Sequence, residues 1–166
     1  RAIFDGIVEA TAAQYEADTD RLQLHVQNVA QDIPAFTETT EETLFERVRQ
    51  IFLYSLHNES ISRFRRMMTI EQFRSPELAE FYSRRYVDRV LAYHAGIFRA
   101  LIAAGEIRES DPDTLSMLYV APVLTLIGVC DRQPEREDEC LEKLRRHVSL
   151  FFRMVHNGGR QGGERR

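Results

Sequence analysis

The chain has 166 residues and a mass of 19.4 kDa, which is the size of one domain that can bury a core. Hydrophobic residues make up 43% and charged residues 29%, as is typical of a soluble globular protein. The net charge of −4 argues against a nucleic-acid-binding surface, because such surfaces are basic. No run of eighteen apolar residues is present, so the sequence predicts no membrane span.

The cysteine content indicates a reducing compartment. Cys130 and Cys140 stand ten residues apart, near the adjoining ends of two predicted helices. They could pair, but two free thiols are the favoured interpretation, which fits a cytoplasmic protein. The first residue is Arg1 and not methionine, so we expect a segment that precedes it in the whole protein.

The first forty residues carry weak helix signals. We predict helices over residues 1–17 and 22–29, and a loop over 31–40 that contains Pro34. In the second helix, LQLHV also alternates like a short strand, which is the alternative interpretation there. Thr39 with Glu42 has the spacing of a capping box, which predicts a helix from there to about His57. The second half of that helix is apolar on nearly all sides, so we expect it to run through the middle of the domain.

A helix over residues 59–72 is expected next, with an arginine cluster at Arg63, Arg65 and Arg66. Such a cluster can contact phosphate or an acidic ligand. The favoured interpretation is a solvated face whose arginines pair with neighbouring glutamates. The methionines Met67 and Met68 adapt to irregular shapes, which suits either a core or a ligand site.

The longest predicted helix spans Ser75 to Gly105 and has a clear start and stop. Ser75 can cap the N-terminus, proline suits the first helical position, and glycine suits the C-terminal cap. At 1.5 Å per residue, about 29 residues give a rod of about 43 Å. Its apolar stripe includes tyrosines and His94, a mixture that builds a core more often than a pocket.

Two further helices complete the chain. Asp111 is expected to cap a helix over residues 112–131, which Pro122 should kink. The last helix, over 134–156, carries a narrow seam with spacings of three and four residues. The seam consists of Leu141, Leu144, Val148, Phe151 and Val155. We assign residues 1–156 to one domain and 157–166 to a flexible tail rich in glycine and arginine.

Motifs for catalysis, cofactors and metals are absent from the sequence. There is no glycine-rich phosphate loop and no Cys-x-x-Cys pair. No two histidines have the helical spacing of a metal site. The sequence therefore predicts no enzyme, no cofactor and no metal, and an all-α fold of about six helices.

Three stretches resemble the C-terminal ligand-binding and dimerisation domain of TetR-family transcriptional regulators. They are RAIFDGIVEA, then RFRRMMTIEQFRSPELAEFY with the long helix to AAGEI, and SDPDTLSMLYVAPVLTLIGV followed by LEKLRRHVSLFF. The order and lengths of these segments carry the resemblance more than any single residue does. The DNA-binding helix-turn-helix of the family is not part of this sequence, so we expect contact with DNA only through a domain that precedes it.

The resemblance implies a homodimeric effector domain of a regulator, most often a repressor, that senses a small apolar or aromatic molecule. The expected ligand-binding residues are Phe52, Leu56, Phe64, Met67, Tyr86, Tyr93, His94, Phe98 and Tyr119. The expected dimer interface, a four-helix bundle from the last two helices, contains Leu115, Pro122, Leu126, Val129, Leu141, Leu144, Val148, Phe151 and Val155. The alternative interpretation is a helical protein-interaction module without a small-molecule ligand.

Overall fold

The computed structural model describes residues 6–10, 13, 14, 17, 18, 22, 25, 28–37 and 39–156. Within these residues the fold is all-α and contains no named strand, as predicted. From Val29 onward the described residues form seven α-helices: α1 (Val29–Phe36), α2 (Glu41–His57), α3 (Glu59–Glu71), α4 (Pro76–Ser83), α5 (Arg89–Ala103), α6 (Pro112–Arg132) and α7 (Glu137–Val155). A π-helical turn (Arg84–Asp88) joins α4 to α5, and a 3-10 turn (Pro134–Arg136) precedes α7.

The predicted N-terminal helix is confirmed at residues 6–10, 13, 14 and 17, and the rest of 1–17 lies outside the described residues. The prediction of a second helix over 22–29 is wrong at His25 and Asn28, which are not helical. The amide of Asn28 instead donates to the His25 carbonyl oxygen at 2.7 Å. This turn directs the chain into α1.

The predicted loop over 31–40 is also wrong, because α1 occupies most of it and continues through Pro34. Val29, Ile33 and Phe36 share one face at spacings of four and three, and all three pack in the core. A Cβ at Gly96 of α5 would lie 3.2 Å from the Val29 side chain, so the glycine permits this close approach. Burial of this face explains why the helix forms despite its proline.

Side-chain caps fix most of the helix starts. The hydroxyl of Thr40 accepts the amide hydrogen of Thr43 at 3.1 Å, so Thr40 and not Thr39 caps α2. Ser75 caps α4 and Asp111 caps α6, as predicted, and Asn58 caps α3. The hydroxyl of Thr39, freed from capping, is buried without a hydrogen-bond partner.

The long rod of α4, the π turn and α5 ends as the sequence indicates. Gly105 has a φ of 74°, which is the left-handed region that glycine adopts readily. Its amide bonds to the Ile102 carbonyl, and the Glu106 amide bonds to the Leu101 carbonyl, which together form a Schellman motif. The π turn is the one departure from a single regular helix.

The core lies where α2 and α5 meet α6 and α7. Phe52 and Ile97 are fully buried on the first pair of helices, and Leu144 and Val148 on α7. The amide of Arg108 donates to the Val155 carbonyl oxygen at 2.9 Å, which fastens the loop after α5 to the end of α7. Because α6 and α7 are antiparallel neighbours, the beginning of α6 lies beside the end of α7.

Arg65 departs from the predicted solvated face. Arg63 pairs with Glu59 at 2.6 Å on the surface, as that interpretation requires. Arg65 is instead buried, and its Nε and Nη2 donate to the two carboxylate oxygens of Asp131 at 2.9 and 2.6 Å. Its Nη1 also donates to the Ser55 carbonyl oxygen at 2.6 Å, so one side chain connects α2, α3 and α6.

Two further sequence predictions concern the end of the chain and the membrane. The predicted tail, 157–166, lies outside the described residues. Helix α6 is long and apolar enough, with a mean hydropathy of 1.6, to cross a membrane by length and composition alone. Buried helices of soluble proteins meet the same criterion, and α6 packs against α5 and α7 through the core.

Candidate effector site

An aromatic cluster lies at the junction of α5, α6 and α7. It consists of Tyr93, His94, Phe98, Tyr119 and Phe151, all of them buried. Tyr119 is at the centre, with ring centroids 5.1 Å from His94, 5.6 Å from Phe98 and 5.0 Å from Phe151. Four of the nine predicted ligand-binding residues therefore meet in one place.

His94 is held neutral inside this cluster. Its Nδ1 lies 2.9 Å from the Val90 carbonyl oxygen one turn earlier in the helix, which places the ring hydrogen on Nδ1. Burial lowers the pKa of His94 to about 4, because the charged ring would lose its hydration. At neutral pH the ring contributes an aromatic surface and no charge.

A buried carboxylate adjoins the cluster. Asp32 of α1 accepts the hydroxyl of Tyr93 at 2.6 Å and the backbone amide of His25 at 2.6 Å. The Nδ1 atom of His25 lies 2.5 Å from the other carboxylate oxygen. Burial, together with the hydrogen bond from Tyr93 to Asp32, raises the pKa of the Tyr93 hydroxyl well above its usual value. Tyr93 therefore serves as a neutral donor that fastens α1 to α5.

A small cavity of about 20 Å³ opens beside the cluster, enough for about one water molecule. Its walls come from the end of α1, the start of α2, and the helices that carry the cluster. The lining residues are Phe36, Thr39, Leu44, Phe98, Leu101, Ile107, Tyr119, Phe151, Val155 and His156. Any larger ligand at this position requires the surrounding helices to move apart.

A second concavity is an open groove of about 290 Å³ between residues 6–10 and α3. Two of the predicted ligand-binding residues, Phe64 and Met67, line it together with Ile7 and Ala10. These two residues are therefore in a different place from Tyr93, His94, Phe98 and Tyr119. The prediction of a single pocket combined two separate concavities.

The other three predicted ligand-binding residues have different environments. Phe52 is fully buried in the main core, and Leu56 packs at its edge. Tyr86 lies in the π turn, and its ring is 5.1 Å from that of Tyr82. None of these three lines either concavity.

The predicted dimer residues divide by exposure. Six of the nine are packed inside the single chain: Leu115, Leu126, Leu144, Val148, Phe151 and Val155. These side chains have little surface left to bury against a partner, because the helical seam faces the core of its own chain. Pro122, Val129 and Leu141 are partly exposed, and their role at an interface stays a prediction.

The apolar side chains that α6 and α7 expose were not among the predicted interface residues. Met117 is 59% and Leu118 48% exposed on α6, and Leu150 is 63% and Met154 43% exposed on α7. The antiparallel arrangement, in which Tyr119 contacts Phe151, places all four at the same end of the helix pair. We call these four residues the exposed apolar patch.

Sequence reasoning also missed Asp32 and Arg47. Asp32 fell in the stretch assigned to a loop, so no burial was expected for it. No role was predicted for Arg47, although it follows Leu44 by three positions and precedes Ile51 by four, on the apolar face of α2. That spacing was the available signal for a guanidinium group directed inward.

In the part of the chain that the structure describes, metal-ligating side chains form no cluster. Among the described residues, no group of three or more His, Cys, Asp or Glu side chains could hold a metal ion. Cys130 and Cys140 are free and buried. Burial, together with the neighbouring Cys140 thiol, raises the pKa of Cys130, so the thiol stays protonated and unreactive at neutral pH.

Seven helices around an aromatic interior define an all-α regulatory domain of the TetR type. Residues 42–124, half of the chain, match the family described as AefR-like transcriptional repressor, C-terminal domain, and the chain belongs to this family. No curated protein and no solved structure matches the chain. The match covers α2 to α5 and the first part of α6, which together carry most of the aromatic cluster.

Proposed function

We propose that this chain is the effector-binding and homodimerisation domain of a transcriptional repressor. C-terminal domains of TetR regulators generally dimerise and bind effectors. Repression itself would require a DNA-binding domain, and the acidic charge of this chain fits a division of labour between the two. A regulator of this kind acts in the cytoplasm, where its DNA target is located.

The observation that carries the dimer proposal is the exposed apolar patch. Four large apolar side chains, each about half exposed, lie at the same end of two neighbouring helices. Completing their burial is worth about 0.8–1.5 kcal/mol each, or about 3–6 kcal/mol per chain. Each of the two chains in a dimer contributes this free energy, and the sum offsets part of the cost of association. The small residues Ala121 and Gly128 of α6 also permit a partner helix to come close.

Native mass spectrometry tests the dimer. We expect a species of twice 19.4 kDa at micromolar concentration. Leu118→Glu with Leu150→Glu should convert it to a monomer, because each carboxylate would have to be desolvated at the interface. Phe73→Glu is the matched control, since Phe73 is an exposed apolar residue outside α6 and α7. A wild-type monomer would contradict the proposal and would favour an interaction module for a different protein.

The effector site is proposed at the aromatic cluster and its small cavity. Rings from three helices provide an apolar lining, and a ligand among them would change the spacing of α5, α6 and α7. A ligand shifts the domain between two states only through its different affinity for each of them. The same two helices, α6 and α7, carry the exposed apolar patch, so binding at the cluster is physically connected to the proposed interface.

Ligand binding is tested by denaturing the purified dimer and identifying the small molecules released. Fluorescence titration with 1-naphthol, an aromatic probe, provides a second measurement. We expect Phe98→Ala or Tyr119→Ala to weaken binding at least tenfold, whereas Met67→Ala in the separate groove should leave it unchanged. Unchanged affinity in both cluster variants would show that the site lies elsewhere.

A further inference from the structure

Among the described residues, Arg47 is a half-buried cation that has no acidic partner. Its Nη2 donates to the Ala35 carbonyl oxygen at 3.0 Å, and its guanidinium stacks on the Phe36 ring at 4.6 Å. Its Nε and Nη1 are buried and have no hydrogen-bond partner. Among the described residues, no acidic side chain forms an ion pair with Arg47.

The buried carboxylate of α1 already has three hydrogen-bond partners. Asp32, three residues before Ala35, accepts hydrogen bonds from Tyr93 and from both the amide and the ring of His25. No hydrogen bond joins it to Arg47. A half-buried guanidinium with two buried N–H groups that lack partners is costly, so its retention needs an explanation.

Arg47 does not line the small cavity, but it contacts Phe36, which does. Phe36 forms a wall of the cavity and also lies beneath the guanidinium. Thr39, another wall residue, has a buried hydroxyl without a hydrogen-bond partner. Tyr119 lines the cavity as well, and the charge of Arg47 acts against the rise that burial causes in its pKa. One unsatisfied hydroxyl, that of Thr39, therefore lines the cavity, and the unsatisfied N–H groups of Arg47 belong to a guanidinium that contacts its Phe36 wall.

The free donors have the geometry that a carboxylate requires. Nη2 carries two hydrogens, and the Ala35 oxygen takes one of them. One of these two hydrogens is parallel to Nε–H, and the other is parallel to a hydrogen of Nη1. The hydrogen that the Ala35 oxygen does not take therefore still forms a parallel pair of donors with Nε or with Nη1. Such a pair matches the two oxygens of one carboxylate, which is the strongest neutralising partner for arginine.

We propose that Arg47 binds the carboxylate of the effector, so that the ligand of this domain is an organic acid with an apolar or aromatic body. The body would lie among Phe36, Phe98 and Tyr119, and the Thr39 hydroxyl would donate to a carboxylate oxygen. This inference rests on the proposed effector-binding function and names the chemical class of the ligand. Because Arg47 also holds Ala35 and Phe36, an acid bound there would connect α1 and α2 to the cluster.

The test compares acids with amides of the same shape. Benzoate and decanoate, each beside its amide, are titrated into the purified chain by calorimetry and by thermal shift. We expect at least one acid to bind at least tenfold more tightly than its amide. Arg47→Met should reduce that preference to less than twofold, and Arg47→Gln provides a second variant should the first fail to fold. Arg49→Met is the matched control, because Arg49 is on the same helix but pairs with Glu46 at the surface.

Three results would overturn the inference. Equal binding of acids and amides would show that charge is not recognised, and would leave the proposed apolar effector function standing. A preference for the acid that persists in both Arg47 variants would place the anion site elsewhere. Failure of all four molecules to bind at millimolar concentration would count against the inference and against the aromatic effector site together.

Discussion

The ion pair between Arg65 and Asp131 gives the sharpest stability prediction. The two side chains are only 10% and 14% exposed, and two parallel hydrogen bonds of 2.9 and 2.6 Å join them. Asp131→Ala would leave the guanidinium buried with only the Ser55 carbonyl as a partner. Removing one member of a buried pair typically costs about 3–5 kcal/mol, because the remaining charge is uncompensated.

The structure places the expected cost of Asp131→Ala near the lower end of that range. Asp131 lies in the last turn of α6, where a negative charge opposes the helix dipole, so its removal returns a few tenths of a kcal/mol. We therefore expect a loss of about 3 kcal/mol in the free energy of unfolding. For a domain of this size that corresponds to a decrease of about 6–12 °C in the melting temperature.

Urea denaturation followed by circular dichroism measures this change, at one fixed protein concentration because dimerisation also contributes to stability. Asp88→Ala, at an exposed position of the π turn, is the control and should stay within about 0.5 kcal/mol of wild type. Arg65→Met with Asp131→Leu should recover part of the loss, because both charges leave together. A cost below about 1 kcal/mol for Asp131→Ala would refute the reasoning and show that the Arg65 charge reaches water.

Three further predictions concern the interior. The pKa of His94 is about 4 in the folded chain and 6.5 in the unfolded chain. The free energy of unfolding is therefore highest, as far as His94 is concerned, above pH 6.5, and it decreases as the pH falls towards 4, because the unfolded chain takes up the proton first. That decrease in the free energy of unfolding reaches at most about 3 kcal/mol. In denaturation experiments between pH 7 and pH 4, His94→Leu should therefore lose less of its free energy of unfolding than wild type does. Tyr93→Phe should cost about 1–3 kcal/mol in thermal denaturation by leaving Asp32 without one donor, and an unchanged stability would contradict this. Cys130 and Cys140 should react with a thiol reagent only as fast as the domain opens; immediate labelling of the folded protein would refute their burial.

The agreement between sequence and structure is best where local chemistry decides. Ser75, Asp111 and Gly105 mark helix boundaries through hydrogen bonds within a few residues, and all three predictions are confirmed. Patterns of this kind require no knowledge of distant contacts. The all-α class follows from the same local signals and is also confirmed.

The candidate site depended on contacts between distant residues, and there the sequence was less informative. Asp32 and Tyr93 are 61 positions apart, and only the folded chain shows that they bond. The apolar seam of α7 was compatible with a partner chain or with the core of its own chain. The tertiary structure decided for the core, because α2 and α6 cover the seam and leave Leu150 and Met154 exposed instead.

By itself, the sequence determined where the long rod starts and stops, where α6 starts, and the resemblance to TetR regulators, because helix caps, apolar periodicity and segment order are written in neighbouring residues. Only the tertiary structure decided which apolar faces are covered and which charges find partners. Arg65 and Arg47 are both arginines on amphipathic helices, and no local pattern separates them. Among the described residues, the fold provides Asp131 for Arg65 and no acid for Arg47.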